Sequence, residues 1–295
     1  MGKIAFLFSG QGDQFPGMGK DLYEAYDKAK EVFHLCEALR PGTMNQCFQA
    51  AAEELKETVN TQPCLFAMEL AAAAVLMEQG ILPDAVAGFS LGEVTAATVA
   101  GMFDWETGFR LVCKRGQLMQ QEAEKFDTTM AAVVKLTPEA VSQLCSRYDQ
   151  VYPVNFNCPG QITVSGLREQ MEAFAQDVKA AGGRALPLKV KGAFHSPFMA
   201  QAAESFAQVL EKAEIRETKT PLYSNVTAQL YTDQAGRLLS KQIASPVRWQ
   251  QIIENMIADG VDTFVEIGPG KTLTNMVRKI NAKVKTYCVA EIRVC

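Results

Sequence analysis

Apolar residues recur along this chain in two spacings, and the switches between them outline the fold. Residues 3–9 form a short continuous apolar run that stops at the turn sequence Gly10-Gln11-Gly12-Asp13-Gln14, the pattern of a strand buried on both faces. Helical spacing follows over about residues 17–39 and again over 62–79. A second apolar run, Ala85-Val86-Ala87-Gly88, leads into a helix of small residues at 94–102, and a further helix begins near Asp104. Short buried strands alternating with helices predict a parallel sheet covered on both sides.

The rhythm changes between about residues 126 and 190. Strand spacing at 129–136 is followed by a helix at 138–148, a strand at 151–157, a turn at Pro159-Gly160, a strand at 161–165, a helix at 169–181 and a strand at 184–190. This βαββαβ succession is the ferredoxin-like order. Residues 126–191 are therefore expected to form a small α+β subdomain inserted into a larger α/β unit made of residues 1–125 and 192–295. The earlier rhythm then resumes, with a buried strand at 263–267 that ends in Gly268-Pro269-Gly270 ahead of a helix.

Composition narrows the possible functions. A chain of 295 residues with 48% hydrophobic content can bury a large core. A net charge of −4 without a long basic run disfavours nucleic-acid binding. The eight cysteines contain no Cys-x-x-Cys pair, and the two histidines are far apart, so neither a metal nor a redox centre is expected. With no secretory leader, reduced thiols and a cytoplasmic location are expected. The most apolar stretch, residues 65–77, is interrupted by Glu69 and reads as a buried helix too short to span a bilayer. The glycines at 10, 12, 17 and 19 fit neither Gly-x-Gly-x-x-Gly nor a phosphate-binding loop, since Met18 stands where a lysine is needed.

The chemistry is concentrated at Gly88-Phe89-Ser90-Leu91-Gly92-Glu93. A serine between two glycines, where an apolar strand meets a helix, fits a nucleophile elbow: the turn is sharp, the glycines allow neighbouring backbone to crowd it, and the hydroxyl stands exposed. The N–H of Leu91, at the helix start, points where an acyl oxyanion would form. Ser90 and Glu93 also match a helix capping box, although that motif requires neither glycine. Of the two histidines, His34 lies in an amphipathic helical stretch and reads as structural, whereas His195 follows a strand-like run in a loop, a usual mounting for a general base. Arg115 has apolar residues Leu111, Val112, Leu118 and Met119 at helical neighbour positions. Its guanidinium therefore emerges on a buried face and needs an anion: an internal carboxylate or a ligand's. Lys114, beside Arg110 and Gln117, faces water on the same reasoning.

The blocks Gly10-Gln11-Gly12, Gly88-x-Ser90-x-Gly92-Glu93, Arg115-Gly116-x-x-Met119-Gln120, Asn155-Phe156-Asn157-x-Pro159-Gly160-Gln161, Phe194-His195-Ser196-Pro197-x-Met199, Pro246-Val247-x-Trp249 and Glu266-x-Gly268-Pro269-Gly270 occur in order over nearly the whole chain. Together they resemble the malonyl-CoA:acyl carrier protein transacylase family. The resemblance implies a hydrolase-like α/β domain with a ferredoxin-like insertion, and transfer of a malonyl group from coenzyme A to the thiol of acyl carrier protein through an acyl ester, for fatty-acid or polyketide synthesis. Ser90 would be the nucleophile and His195 the base. The backbone carbonyl of Gln242 would orient His195, leaving the Gln242 side chain without a role. The oxyanion hole would be the N–H groups of Gln11 and Leu91. Arg115 would grip the malonyl carboxylate, with Phe89, Phe194 and Asn157 also at the substrate site.

Coenzyme A enters that scheme as substrate, and no resident cofactor, nucleic acid or membrane is implied. The chain departs from the family at Phe89, where a histidine usually stands; phenylalanine makes the acyl pocket more apolar and offers no donor. Phe194 is of the malonyl type. Two alternatives stay open: an acyl-enzyme hydrolase that clears mischarged carrier protein, and a catalytically silent subunit that docks it. An acidic carrier would need a local basic patch, for which Lys189, Lys191 and Lys271 are the candidates.

Overall fold

The computed structural model describes residues 2–290. Residues 1 and 291–295, assigned by sequence to the larger unit, lie outside the described residues.

The larger unit is built on five parallel strands. β1 (Lys3–Phe8) is followed by helices α1 (Lys20–Ala25), α2 (Asp27–Leu39), α3 (Thr43–Gln49) and α4 (Thr58–Glu78), then by β2 (Ala85–Gly88), α5 (Gly92–Val99) and α6 (Trp105–Ala123). β1 alternates sides as a strand must: Phe6 and Phe8 enter one core, Ala5 and Leu7 the other. Val86 of β2 joins the first core, and Ala85 and Ala87 join the second. This two-sided burial is why both strands read as continuous apolar runs. α4 is buried around nearly its whole circumference, as expected of a helix apolar on all faces. It extends beyond the apolar stretch at 65–77: with 21 residues it is long and apolar enough to cross a membrane, yet 89% of its most apolar window is buried inside the protein.

The second sheet comprises β3 (Thr128–Val134), β4 (Val151–Cys158), β5 (Gln161–Leu167) and β6 (Arg184–Pro187), in the antiparallel order β4-β5-β3-β6. Between them run α7 (Pro138–Cys145) and α8 (Arg168–Ala180). One face of this sheet and the two helices share a core that includes Val133, Val141, Val164 and Phe174. The chain then returns to the first unit through α9 (Ala200–Leu210), β7 (Leu222–Tyr223), α10 (Ala235–Gln242), α11 (Trp249–Ala258), β8 (Val261–Ile267), α12 (Thr272–Ile280) and β9 (Lys285–Cys288). The large sheet is ordered β7-β2-β1-β8-β9, with every pairing parallel. α11 and α12 cover its second face through Trp249, Ile252, Ile253, Leu273 and Val277. The fold is therefore α/β, with an antiparallel α+β sheet interposed.

Several boundaries differ from the sequence expectation. The single helix at 17–39 is two helices, because Tyr26 is extended (φ −129°, ψ 128°). The strand expected at 184–190 ends at Pro187. Beyond it Leu188 and Val190 keep the alternating pattern, but they turn into the cleft between the two sheets. α3 and the short edge strands β7 and β9 had no clear apolar period to mark them.

Two connections fix the small sheet over the large one. Val247 N–H donates to Val154 O (2.8 Å), and Phe156 N–H donates to Val247 O (2.9 Å), so β4 is stitched to the segment leading into α11. At the entry to the small sheet, Phe198 packs against Phe126 and Tyr152. The loops after β1, β2 and β8 all emerge at the carboxyl edge of the large sheet, on either side of the point where strand order reverses. That is the usual place for a ligand crevice in such sheets.

Candidate active site

Ser90 stands directly after β2 with φ 56°, a left-handed conformation that a non-glycine residue adopts only under constraint. The constraint is visible in its neighbours. A Cβ on Gly88 would lie 1.9 Å from the backbone of Gly92, and one on Gly92 would lie 2.4 Å from Phe8 O. Both glycines are thus required for the turn to press against β1. The capping-box alternative is absent, since Ser90 makes no side-chain cap at α5 and Glu93 bonds elsewhere.

His195 also has a positive φ, 62°. Its Nδ1 lies 2.9 Å from Gln242 O, and its Nε2 lies 2.7 Å from Ser90 Oγ. A carbonyl oxygen can only accept, so Nδ1 carries the ring proton and Nε2 is free to accept from the serine hydroxyl. Burial and the nearby Arg115 charge push His195 down to about 4, so the imidazole is neutral near pH 7. Serine, histidine and carbonyl form a relay able to withdraw a proton from Ser90. His34, the other histidine, pairs with Tyr23 (3.0 Å) on the surface of α2.

Arg115 is 1% exposed, and no carboxylate lies within ion-pair distance of its guanidinium among the described residues. Its partners are neutral acceptors: Nη1 donates to Gln62 Oε1 (2.8 Å), and Nη2 donates to Gln242 Oε1 (2.8 Å) and to Ser90 Oγ (3.2 Å). Burial lowers it to about 10, which still leaves it charged at neutral pH. Lys114 is outside this group and donates to Gln117.

The Gln242 side chain corrects the sequence expectation that it has no role. Its Nε2 donates to Ser90 O (2.6 Å) and to Glu93 Oε2 (2.7 Å), while its Oε1 holds Arg115. Asn225 was not singled out by sequence, yet its Oδ1 accepts from Ser90 N–H (2.9 Å) and its Nδ2 donates to Gly88 O (2.7 Å). Nothing in the local sequence around residues 62 and 225 separates these polar residues from helix-surface or turn residues.

A chamber of about 70 Å³ adjoins Ser90, lined among others by Gln11, Leu91, Phe89, Phe194 and Met119. The N–H groups of Gln11 and Leu91 have no acceptor among the described residues, which leaves both free to receive a developing oxyanion. Phe89 stands edge-on to Trp249 with centroids 5.4 Å apart. An adjoining cavity of about 230 Å³ shares Gln11, Phe89, Asn155 and Leu188 with the chamber and continues past Asn157 to Thr272. The Oδ1 atoms of Asn155 and Asn157 are buried without a partner. Buried polar atoms of that kind call for a ligand or solvent. Of the three lysines, Lys189 and Lys191 border a cavity of about 630 Å³ that also presents Glu53 and Glu57. Lys191 is 3.8 Å from Glu57, so the charge there is mixed. Lys271 lies outside that cavity's lining.

One further carboxyl lies beneath the loops. Glu69 of α4 is fully buried, hydrogen-bonded to the hydroxyls of Ser9 (2.6 Å) and Thr95 (2.7 Å), and so joins the loop bearing Gln11 to the helix that begins after Ser90. Burial pushes it from 4.5 to about 8. The folded protein therefore binds more protons than the unfolded chain between those values. The stability from this group is complete below about pH 4.5 and is lost as pH rises through 8. Glu93, raised to about 7 by burial, adds a slope of the same sign. Glu69→Gln should flatten part of the fall in Tm across this window; an undiminished slope would show that Glu69 does not carry it.

The chain is similar to known acyltransferases. The sequence pattern of the acyl transferase domain family matches residues 5–293. The malonyl CoA-acyl carrier protein transacylase of Bacillus subtilis is 41% identical over 299 residues, covering 99% of this chain and 94% of that protein. The crystal structure of the transacylase of the same name from Clostridium perfringens superposes with TM-score 0.95 at 36% identity, over 99% of this chain and 94% of that one. A malonyl-transacylase solved in complex with its type II polyketide-synthase acyl-carrier protein superposes with TM-score 0.95 at 34% identity, over 98% and 96%.

Proposed function

The chain belongs to the acyl transferase domain family, and we propose that it moves a malonyl group from coenzyme A to the phosphopantetheine thiol of an acyl carrier protein. Ser90 Oγ attacks the thioester carbonyl while His195 Nε2 takes its proton. The C–S bond then breaks, and the imidazolium returns that proton to the departing coenzyme A thiolate, leaving a malonyl ester on Ser90. In the second half, His195 takes the proton of the carrier thiol, the sulfur attacks the ester, and the proton passes to Ser90 Oγ. The N–H groups of Gln11 and Leu91 receive the oxyanion in both halves.

Arg115 carries the choice of a malonyl over a simple acyl group. It is a buried cation with only neutral partners, and it reaches within 3.2 Å of Ser90 Oγ, where the free carboxylate of a bound malonyl can complete its charge through a two-pronged contact. Phe89 offers no donor, so this recognition rests on Arg115. The pantetheine arm, common to both thiols, has two amide N–H groups, and the unpartnered oxygens of Asn155 and Asn157 are suited to receive them. The unit at 126–191 forms the roof of this channel, with Phe194 at its edge.

Incubation with malonyl-, methylmalonyl- and acetyl-CoA, followed by intact mass measurement, tests this reading. The expected result is a stable malonyl adduct that discharges onto holo carrier protein. Rapid release of malonate without carrier would make the protein a hydrolase, and no adduct with any ester would make it a docking subunit.

A further inference from the structure

Resting on the reading above, we propose that Glu93 is a positioning residue that holds Ser90, His195 and Arg115 in register by clamping the Gln242 and Asn225 side of the site. Glu93 is fully buried, and its two carboxylate oxygens are met by three donors from separate parts of the chain. Oε1 accepts from Asn225 N–H (2.8 Å) and Tyr231 OH (2.7 Å), and Oε2 accepts from Gln242 Nε2 (2.7 Å). Two of these connections end on the machinery. Asn225 holds the Ser90 N–H. Gln242 holds the Ser90 carbonyl through Nε2, Arg115 through Oε1, and the His195 ring through its backbone oxygen.

The effect on Gln242 is directional. An amide has one accepting and one donating end, and the two ends are told apart only by what faces them. The Glu93 carboxylate accepts from the Nε2 end, so Oε1 must turn to Arg115. With a donor at position 93, Nε2 meets a donor there, and only the Ser90 carbonyl still favours that orientation at this end of the amide. Turning Nε2 toward the guanidinium would set donor against donor and push Arg115 off the acyl carboxylate position. Glu93 thus acts through acceptor geometry, one residue removed from the serine–histidine pair, by fixing the Gln242 amide and the Asn225 backbone that hold it.

Glu93→Gln and Tyr231→Phe, assayed for single-turnover acylation by malonyl-CoA and acetyl-CoA, test the assignment. Tyr231→Phe removes one donor from Glu93 without touching Ser90, His195, Arg115 or Gln242, so it keeps the test valid should Glu93→Gln not fold. For Glu93→Gln, malonyl acylation should fall by about 10- to 100-fold, and the malonyl-to-acetyl ratio should fall with it. Tyr231→Phe should lower the same ratio by a smaller factor. A wild-type ratio in Tyr231→Phe, or in a folded Glu93→Gln, would overturn the assignment, because a residue that only supports the fold lowers Tm without changing acyl choice. Absence of any acyl adduct in the unmutated protein would instead count against the transferase reading itself.

Discussion

Ser90→Ala abolishes formation of the acyl-enzyme, and His195→Ala slows it by at least about a thousandfold, the scale on which such pairs act. The two losses have different causes. Alanine at 90 removes the attacking oxygen, 2.7 Å from His195 Nε2, and among the described residues that line the chamber no other carries a hydroxyl. It leaves the elbow in place, because the turn is held by the Ser90 backbone through Asn225 and Gln242 and not by its hydroxyl. Unfolding should accordingly stay within about 0.5 kcal/mol of the unmutated protein. Alanine at 195 keeps the nucleophile but leaves it without a base, and His34 on α2 is bonded to Tyr23 instead. The pH profile follows from the same geometry. Since only neutral imidazole can accept the proton, and burial holds His195 near 4, acylation should rise with pH through about 4 and stay flat across neutrality. Intact mass and single-turnover rates decide both points: an adduct persisting in Ser90→Ala would place the nucleophile elsewhere, and a profile rising only near pH 6.5 would mean that His195 is not desolvated.

The parts of this site that were legible in the sequence are those whose physics is local. Gly88 and Gly92 mark the elbow because side chains there would strike backbone at 1.9 and 2.4 Å, and a steric requirement of that kind leaves a residue-type signature. The interposed sheet was legible because its elements follow the βαββαβ order, whereas the strands of the parallel sheet are separated by helices. Arg115 announced itself as a cation on an apolar helix face, but whether its partner was a carboxylate or an amide depended on residues 53 and 127 positions away. The same holds for Asn225, which meets Ser90 across 135 positions. Glu93 was visible but ambiguous, since Ser-x-x-Glu spacing serves a helix cap as well as a catalytic clamp, and only the tertiary position of Tyr231 and Gln242 separates the two. The misplaced end of β6 has a similar origin. Leu188 and Val190 alternate as a strand would, yet the surface they bury against is the cleft.

Arg115→Ala should lower kcat/KM for malonyl-CoA by about 100-fold or more while lowering that for acetyl-CoA far less, so that acyl preference falls and can reverse. A hydrogen-bonded charge pair in a dry chamber is worth a few kcal/mol, and about 1.4 kcal/mol is a factor of ten in rate. Acetyl has no carboxylate and forfeits nothing of this. Removing the side chain also strands the carbonyl ends of Gln62 and Gln242, which costs stability, but both esters meet the same altered protein and the ratio cancels that loss. A second consequence separates electrostatics from packing. The Arg115 charge is among the causes that hold His195 low, so the acid limb of the acetyl reaction should move to higher pH when the guanidinium is gone. Arg115→Lys should retain most of that limb while losing much of the malonyl preference, because an ammonium supplies charge without the planar fork. The kcat/KM values for both esters, measured from pH 4 to 8 on all three proteins, test the assignment. Equal losses for the two esters, with an unmoved acid limb and a lower Tm, would make Arg115 a cation that serves the fold and not the substrate.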